Sequence, residues 1–496
     1  MSELSQLSPQ PLWDIFAKIC SIPHPSYHEE ALAQHIMTWA KERNLHAERD
    51  QVGNILLRKP ATKGMENRKS VALQAHLDMV PQKNNDTVHD FTQDPIQPYI
   101  DGEWVKARGT TLGADNGIGM ASALAVLSDE RVEHGPLEVL LTMTEEAGMD
   151  GAFGLQPNWL KADILINTDS EQEGEIYMGC AGGIDFTTTL ALQREAVPAG
   201  YQTLQLTIKG LKGGHSGADI HLGLGNANKL LARFLFEHTT DLDLRVLNLN
   251  GGTLRNAIPR ESAVTLAIAA DKVDQLKNLS QTYLATLKNE LAAVEKNLVI
   301  VIEPIISNDA RALTKKTQQR LVALLNATPN GVIRMSDAIK GVVETSLNVG
   351  VVAMNENEAE IICLIRSLID SGKDYVVSIL TAIGQLAGAQ TAPKGGYPGW
   401  QPDPTSPVMA LVRETYQKLF NKTPNIMVIH AGLECGLFKK PYPEMDMVSI
   451  GPTMTGPHSP DEQVHIESVS QYWQLLTALL KAIPEHAYTQ GTAKCR

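Results

Sequence analysis

Cysteine is scarce in this chain and shows no pairing pattern. Its five thiols, Cys20, Cys180, Cys363, Cys435 and Cys495, are odd in number and include no Cys-x-x-Cys. A disulfide framework and a thiolate metal site are therefore not expected, and a reducing cytoplasm is. An excess of basic charge is also missing. Lys and Arg number 43 against 56 Asp and Glu, a net charge of −13, and no basic stripe offers a footprint for nucleic acid. No apolar run approaches the roughly 20 residues that span a bilayer, so a membrane is not an expected partner. The first residues, 1–13, have neither the basic nor the apolar region of a secretory signal.

What is present is the composition of a soluble globular protein, with 43% apolar and 20% charged residues. At 496 residues it is too long for one compact core, so at least two domains are expected. Residues 11–22 and 28–43 have helical apolar spacing. Residues 71–75, 137–142 and 164–167 are short apolar runs of the kind that form buried strands, and 116–127 reads as a helix rich in small residues. Strands alternating with helices predict an α/β fold with a mostly parallel mixed sheet flanked by helices. After Gly183 the texture changes. Alternating stretches at 203–209, 263–269 and 358–367, with helices at 225–238, 272–294 and 375–387, predict an inserted α+β domain. The expected layout is a catalytic domain in two parts, 1–186 and 395–496, around an insertion at 187–394.

Five segments carry the chemistry: His76-Leu77-Asp78, Gly113-Ala114-Asp115-Asn116-Gly117, Glu145-Glu146, Asn167-Thr168-Asp169-Ser170 and Gly456-Pro457-His458-Ser459. Four of them fall where a strand of a parallel sheet would end, the place where such folds gather functional groups. His76 and Asp78, two apart, can face one side, with the imidazole as ligand and the carboxylate orienting it. A histidine satisfied by a local hydrogen bond is the alternative. Asp115 can bridge two metals through its two oxygens, or simply cap a helix. The Glu145-Glu146 pair suits one ligand and one proton-transfer group, or else a solvated acidic turn. Each segment alone is ambiguous. Two histidines, three aspartates and two glutamates in this order match the inventory of a two-metal hydrolase.

With these motifs and Gly213-Gly214-His215-Ser216-Gly217, the chain resembles the co-catalytic di-zinc peptidases that include aminoacylase and carboxypeptidase G. Within them it is similar to the aminoacyl-histidine (Xaa-His) dipeptidases. The resemblance covers essentially the full length, and Asp169 stands where many family members have glutamate. It implies a di-zinc exopeptidase fold with an inserted lid and two divalent ions, zinc first, with cobalt or manganese as alternates. His76 and Asp169 would hold one ion, Glu146 and His458 the other, and Asp115 would bridge them. A cis peptide at Asp115-Asn116 is implied as well. Asp78 would orient His76, and Glu145 would be the general base toward a metal-activated water. From the lid, His215 would stabilise the oxyanion, while Asn256 and Arg366 would bind substrate; without the resemblance, Arg366 could equally be a surface ion pair. Glu434 would reach the substrate's free amine. The implied activity is hydrolysis of unblocked dipeptides, with Xaa-His favoured and carnosine-like substrates included. An N-acyl-amino-acid deacylase on the same scaffold is the alternative. The insertion is nearly twice the family's usual lid length. Either it holds two related halves that supply His215 within one chain, or His215 is delivered across a homodimer.

Overall fold

The computed structural model describes residues 3–84, 87–305 and 311–486; Cys495 lies outside the described residues. The chain divides into two units. One comprises the described parts of Met1–Gly179, Pro402–Val428 and Leu433–Arg496, and the other comprises Cys180–Gln401 and Ile429–Gly432.

The first unit is built on an eight-stranded sheet. Its spatial order is His46–Arg49, Ile55–Lys59, Leu137–Thr142, Val71–His76, Ile164–Asn167, Asp446–Ser449, Glu175–Cys180 and Asn425–Ile429. The four strands from Leu137–Thr142 to Asp446–Ser449 pair in parallel, and antiparallel strands flank them. Three of the parallel strands are buried along their whole length. That is why they read as largely apolar runs, broken within only by Gln74 and Glu138: both faces are covered by helices. Helix Ala114–Ser128 is buried from Ala114 to Leu127, and its small residues permit the close approach. A Cβ on Gly119 would lie 2.5 Å from the Thr168 carbonyl oxygen. Trp13, Phe16 and Ile19 of helix Gln10–Cys20 complete the core on that side.

A separate antiparallel sheet in this unit orders Met454–Thr455, Gln463–His465, Trp104–Ala107 and Pro98–Asp101. It brings the chain approaching Asp115 beside the hairpin connection that carries His458.

The second unit has its own core, centred on Phe186, Phe234, Leu206, Leu347 and Ile361. Its main sheet orders Val299–Pro304, Tyr201–Lys209, Ser262–Ala269, Arg245–Gly251, Val343–Met354, Glu358–Ser367, Gly182–Ala191 and Gln390–Tyr397, with Gly331–Met335 paired to Val343–Met354 off that path. The connectivity resolves this into two halves. Strand Tyr201–Lys209, helix Ala227–Leu242, strands Arg245–Gly251 and Ser262–Ala269, helix Val273–Glu290 and strand Val299–Pro304 form one ferredoxin-like β-α-β-β-α-β unit. The second has the same plan. It runs through strand Gly182–Ala191, helix Lys315–Ala327, strands Val343–Met354 and Glu358–Ser367, helix Asp370–Ala387 and strand Gln390–Tyr397. The halves meet edge to edge through their second strands, where Gly251 pairs with Val352. The first half is inserted after the opening strand of the second, so the insertion contains two related halves.

The expected limits of the insertion, 187 and 394, fall inside two of its strands. Gly182–Ala191 and Gln390–Tyr397 pair with each other, Pro393 opposite Phe186, which places both wholly in the second unit. An edge position tolerates Pro393 because no partner needs its missing N–H.

Candidate metal centre

The turns after three parallel strands converge with the His458 hairpin. His76 ends its strand with the ring buried, its Nε2 3.2 Å from Asp115 Oδ1, 3.4 Å from Asp169 Oδ1 and 4.0 Å from Glu145 Oε2. Nδ1 lies 3.0 Å from the Asp78 carbonyl oxygen and 3.3 Å from its carboxylate, so the nitrogen facing the carboxylate cluster is Nε2. The other oxygen of Asp115 is 3.3 Å from His458 Nε2, which is also 3.0 Å from Glu146 Oε2. Asp115 thus touches one imidazole with each oxygen. Two ligand groups, His76–Asp115–Asp169 and Asp115–Glu146–His458, share it, and a third grouping joins His76 to Glu145 and Glu146.

Local structure holds these side chains in place. Asp78 accepts from the backbone N–H groups of Glu145 and Glu146 at 2.9 and 3.1 Å and from the Ser26 hydroxyl at 2.7 Å. One carboxylate therefore orients His76 and seats both glutamates. Asn116 accepts from the His76 N–H at 3.3 Å and donates to the Thr168 carbonyl at 2.8 Å, tying two ligand turns together. The Asp115–Asn116 peptide is cis, and both residues depart from helical backbone angles. The sequence pointed to no hydrogen-bonding role for Ser26 or for Asn116. The small-residue run 113–117 marked Asn116's loop; nothing marked Ser26.

The electrostatics call for added positive charge. Burial pushes Glu145 well above the ordinary carboxylate range, with Asp169, Glu146 and Glu434 adding to it against His76. Burial and then Asp115 push Glu146 up to about 7, and burial likewise puts Asp169 at about 6. Hydrogen bonds to Asp115 and Glu146 pull His458 up to about 11. Burial opposes charge on His76, yet Asp169, Asp115 and Asp78 outweigh it and raise this histidine too. Buried oxygens of Glu146 and Asp169 have no hydrogen-bond partner. Crowded carboxylates with orphaned oxygens, facing two Nε2 atoms, fit a pair of divalent cations by both donor chemistry and charge.

Glu434 opens helix Glu434–Phe438 and is fully enclosed. Its Oε2 accepts from Gln74 at 2.6 Å and Thr142 at 2.9 Å, while Oε1 has no partner. Burial leads the causes that raise it to about 8.

In the second unit, the His215 Nδ1 accepts from the N–H groups of Gly217 and Ala218 at 3.2 and 2.9 Å. Those donors leave the ring proton on Nε2. Burial, then the Arg366 guanidinium, lower His215 to about 4, so the imidazole is a neutral donor. Arg366 is 5% exposed, which sets aside a surface ion pair. It reaches Tyr397 Oη at 3.1 Å and Ser216 Oγ at 3.4 Å, and among the described residues no carboxylate pairs with it. Asn256 lies in an exposed turn, and its carbonyl accepts from the Ser216 N–H at 3.0 Å.

Residues 72–482 match the peptidase family M20/M25/M40. The chain is 78% identical over 484 residues to the cytosol non-specific dipeptidase of Escherichia coli (strain K12), covering 98% of this chain and all of that one. It is similar to the crystal structure of aminoacylhistidine dipeptidase from Vibrio alginolyticus, with a TM-score of 0.90 and 62% identity over 98% of this chain and 99% of that one. Aminopeptidase PepT from Bacillus cereus, at 15% identity and a TM-score of 0.56 over 96% and 98% of the two chains, shares the fold. Sequence, fold and ligand geometry agree: the chain belongs to peptidase family M20/M25/M40.

Proposed function

We propose that this chain is a metallodipeptidase that hydrolyses unblocked dipeptides. The observation that carries the reading is the shared Asp115, one oxygen toward His76 and the other toward His458, with Glu145 beside them. His76, Asp169, Glu146, His458 and the bridging Asp115 would hold two divalent ions, zinc first, with cobalt or manganese as alternates. Bound there, such ions supply a Lewis acid for the peptide carbonyl and lower the pKa of a water. Glu145 accepts the proton of the attacking water and delivers it to the leaving amine. Asp78 holds His76 in the tautomer that presents Nε2. His215 donates its Nε2 proton in a hydrogen bond to the carbonyl oxygen as charge builds there; removing one such donor typically costs roughly 100- to 1000-fold in turnover. Arg366 pairs with the substrate's C-terminal carboxylate through a planar fork, and Asn256 adds a polar contact.

The buried, half-satisfied carboxylate of Glu434 suits a free ammonium group and disfavours an N-acylated one, which speaks against the deacylase alternative. The similar proteins carry the names cytosol non-specific dipeptidase and aminoacylhistidine dipeptidase, so breadth is the open dimension of specificity. We assign Xaa-His dipeptides, carnosine-like ones included, as favoured substrates. The cytoplasm is the compartment that the E. coli relative's name and the cysteine usage support. No helix among the described residues is long and apolar enough to cross a membrane.

A dipeptide panel on zinc-, cobalt- and manganese-loaded protein, each peptide with and without N-acetylation, tests this. Hydrolysis confined to free N-termini, highest for Xaa-His, is expected. Preference for acetylated substrates would overturn it.

A further inference from the structure

Glu462 lies four residues after His458, in the hairpin connection between strands Met454–Thr455 and Gln463–His465. It is 2% exposed, and no cation among the described residues forms an ion pair with it. Its carboxylate is spent on backbone. Oε2 accepts from the Leu112 and Gly113 N–H groups at 2.7 and 3.0 Å, and Oε1 accepts from the Asp115 N–H at 3.1 Å. These are the amides of the turn that aims Asp115, and Gly113 sits there in the left-handed region at φ +72°. At its other end, the Glu462 N–H donates to the Ser459 carbonyl at 3.0 Å, closing the turn that carries His458. That turn also holds unusual geometry, with His458 at φ +62°.

We propose that Glu462 is a positioning residue that locks the Asp115 and His458 turns to one another and thereby sets the affinity of both metal positions. The claim rests on the two-metal reading above. Three backbone donors satisfy the buried carboxylate. No neutral side chain of the same shape can replace it: glutamine would point an NH₂ at a backbone donor. The carboxylate fixes the distance between a shared ligand and the ligand of one position. Because Asp115 belongs to both ligand groups, a loosened turn weakens both positions together.

The test compares Glu462→Gln and Glu462→Asp with the wild type, starting from chelator-stripped protein titrated with zinc. Readouts are binding stoichiometry and affinity, melting temperature of the apo form, and dipeptide kcat and KM at low and saturating zinc. The wild type should take up two zinc ions; if it takes up none, the two-metal reading itself fails. Glu462→Gln should bind both ions roughly 10- to 100-fold more weakly, the range typical for residues that orient ligands. Its kcat should recover toward wild type at saturating zinc with KM little changed, and Glu462→Asp should lie between. Wild-type affinity in Glu462→Gln, weakening of one position only, or an apo melting loss with no rescue by zinc would overturn the proposal.

Discussion

Glu145 and Glu146 are neighbours in sequence with different proposed tasks, and Asp78 separates them. By accepting both of their N–H groups, it points one carboxylate at His458 and leaves the other beside His76. Glu145→Ala should therefore keep both zinc ions, measured by elemental analysis, while dipeptide hydrolysis falls nearly to background. Retained activity would remove Glu145 from its role. Arg366 gives the second test at this scale. Lysine keeps its charge and loses the fork. A lost charge-assisted hydrogen bond is worth about 1.5–3 kcal/mol, so Arg366→Lys should raise KM roughly 10- to 100-fold with a smaller change in kcat. Steady-state kinetics on one dipeptide decides it. The side chains that the structure brings together as candidate ligands were legible in the sequence because strand ends and small-residue turns flag them. Ser26 and Glu462 were not: each acts through a hydrogen bond to a residue distant in sequence, and neither sits in a motif.

At the level of elements, helix Ala114–Ser128 serves the site by pressing against the turn before Asp169. Gly119 meets the Thr168 carbonyl and hydroxyl oxygens and Asn116 Nδ2 with no room for a methyl group. Gly119→Ala should cost about 1–3 kcal/mol from overpacking and lower zinc affinity by displacing Asn116 and Thr168. Calorimetry and zinc titration check the two effects, and an unchanged melting temperature would contradict the packing argument. The parallel strands were readable because full burial made them largely apolar, Gln74 and Glu138 apart. Strand Val343–Met354 escaped notice because its buried stretch includes Glu344, Thr345, Ser346 and Asn348, which hide the apolar pattern. Helix Lys315–Ala327 was missed for the converse reason: its polar face dominates the composition.

For the whole molecule, acid is the revealing stress. His215 and His430 both stay neutral in the fold; burial, then Arg366, hold them down to about 4 and about 3. In the unfolded chain each titrates near 6.5. Between about pH 6.5 and 4 the unfolded state binds protons that the folded state refuses, so their contribution to stability falls as pH drops through that window. Melting temperature should decline from pH 7 to pH 4.5, and His430→Gln should decline less steeply. Equal slopes would show that His430 is not responsible.

The nesting of one ferredoxin-like half inside the other has a consequence for how the protein is made. On the ribosome the inner half is complete once Val299–Pro304 emerges, and it can close while synthesis continues. Strand Gly182–Ala191 emerges earlier, yet its partners are Glu358–Ser367 and Gln390–Tyr397, so it is the first strand of the insertion to appear and among the last to find a place. A strand left waiting with both edges open invites aggregation. This one carries Asp185 and three successive threonines, Thr187, Thr188 and Thr189, where an apolar run would have been the hazard. Its polarity, out of keeping with the interior place it takes between two partners in the finished sheet, suits the long interval it spends alone.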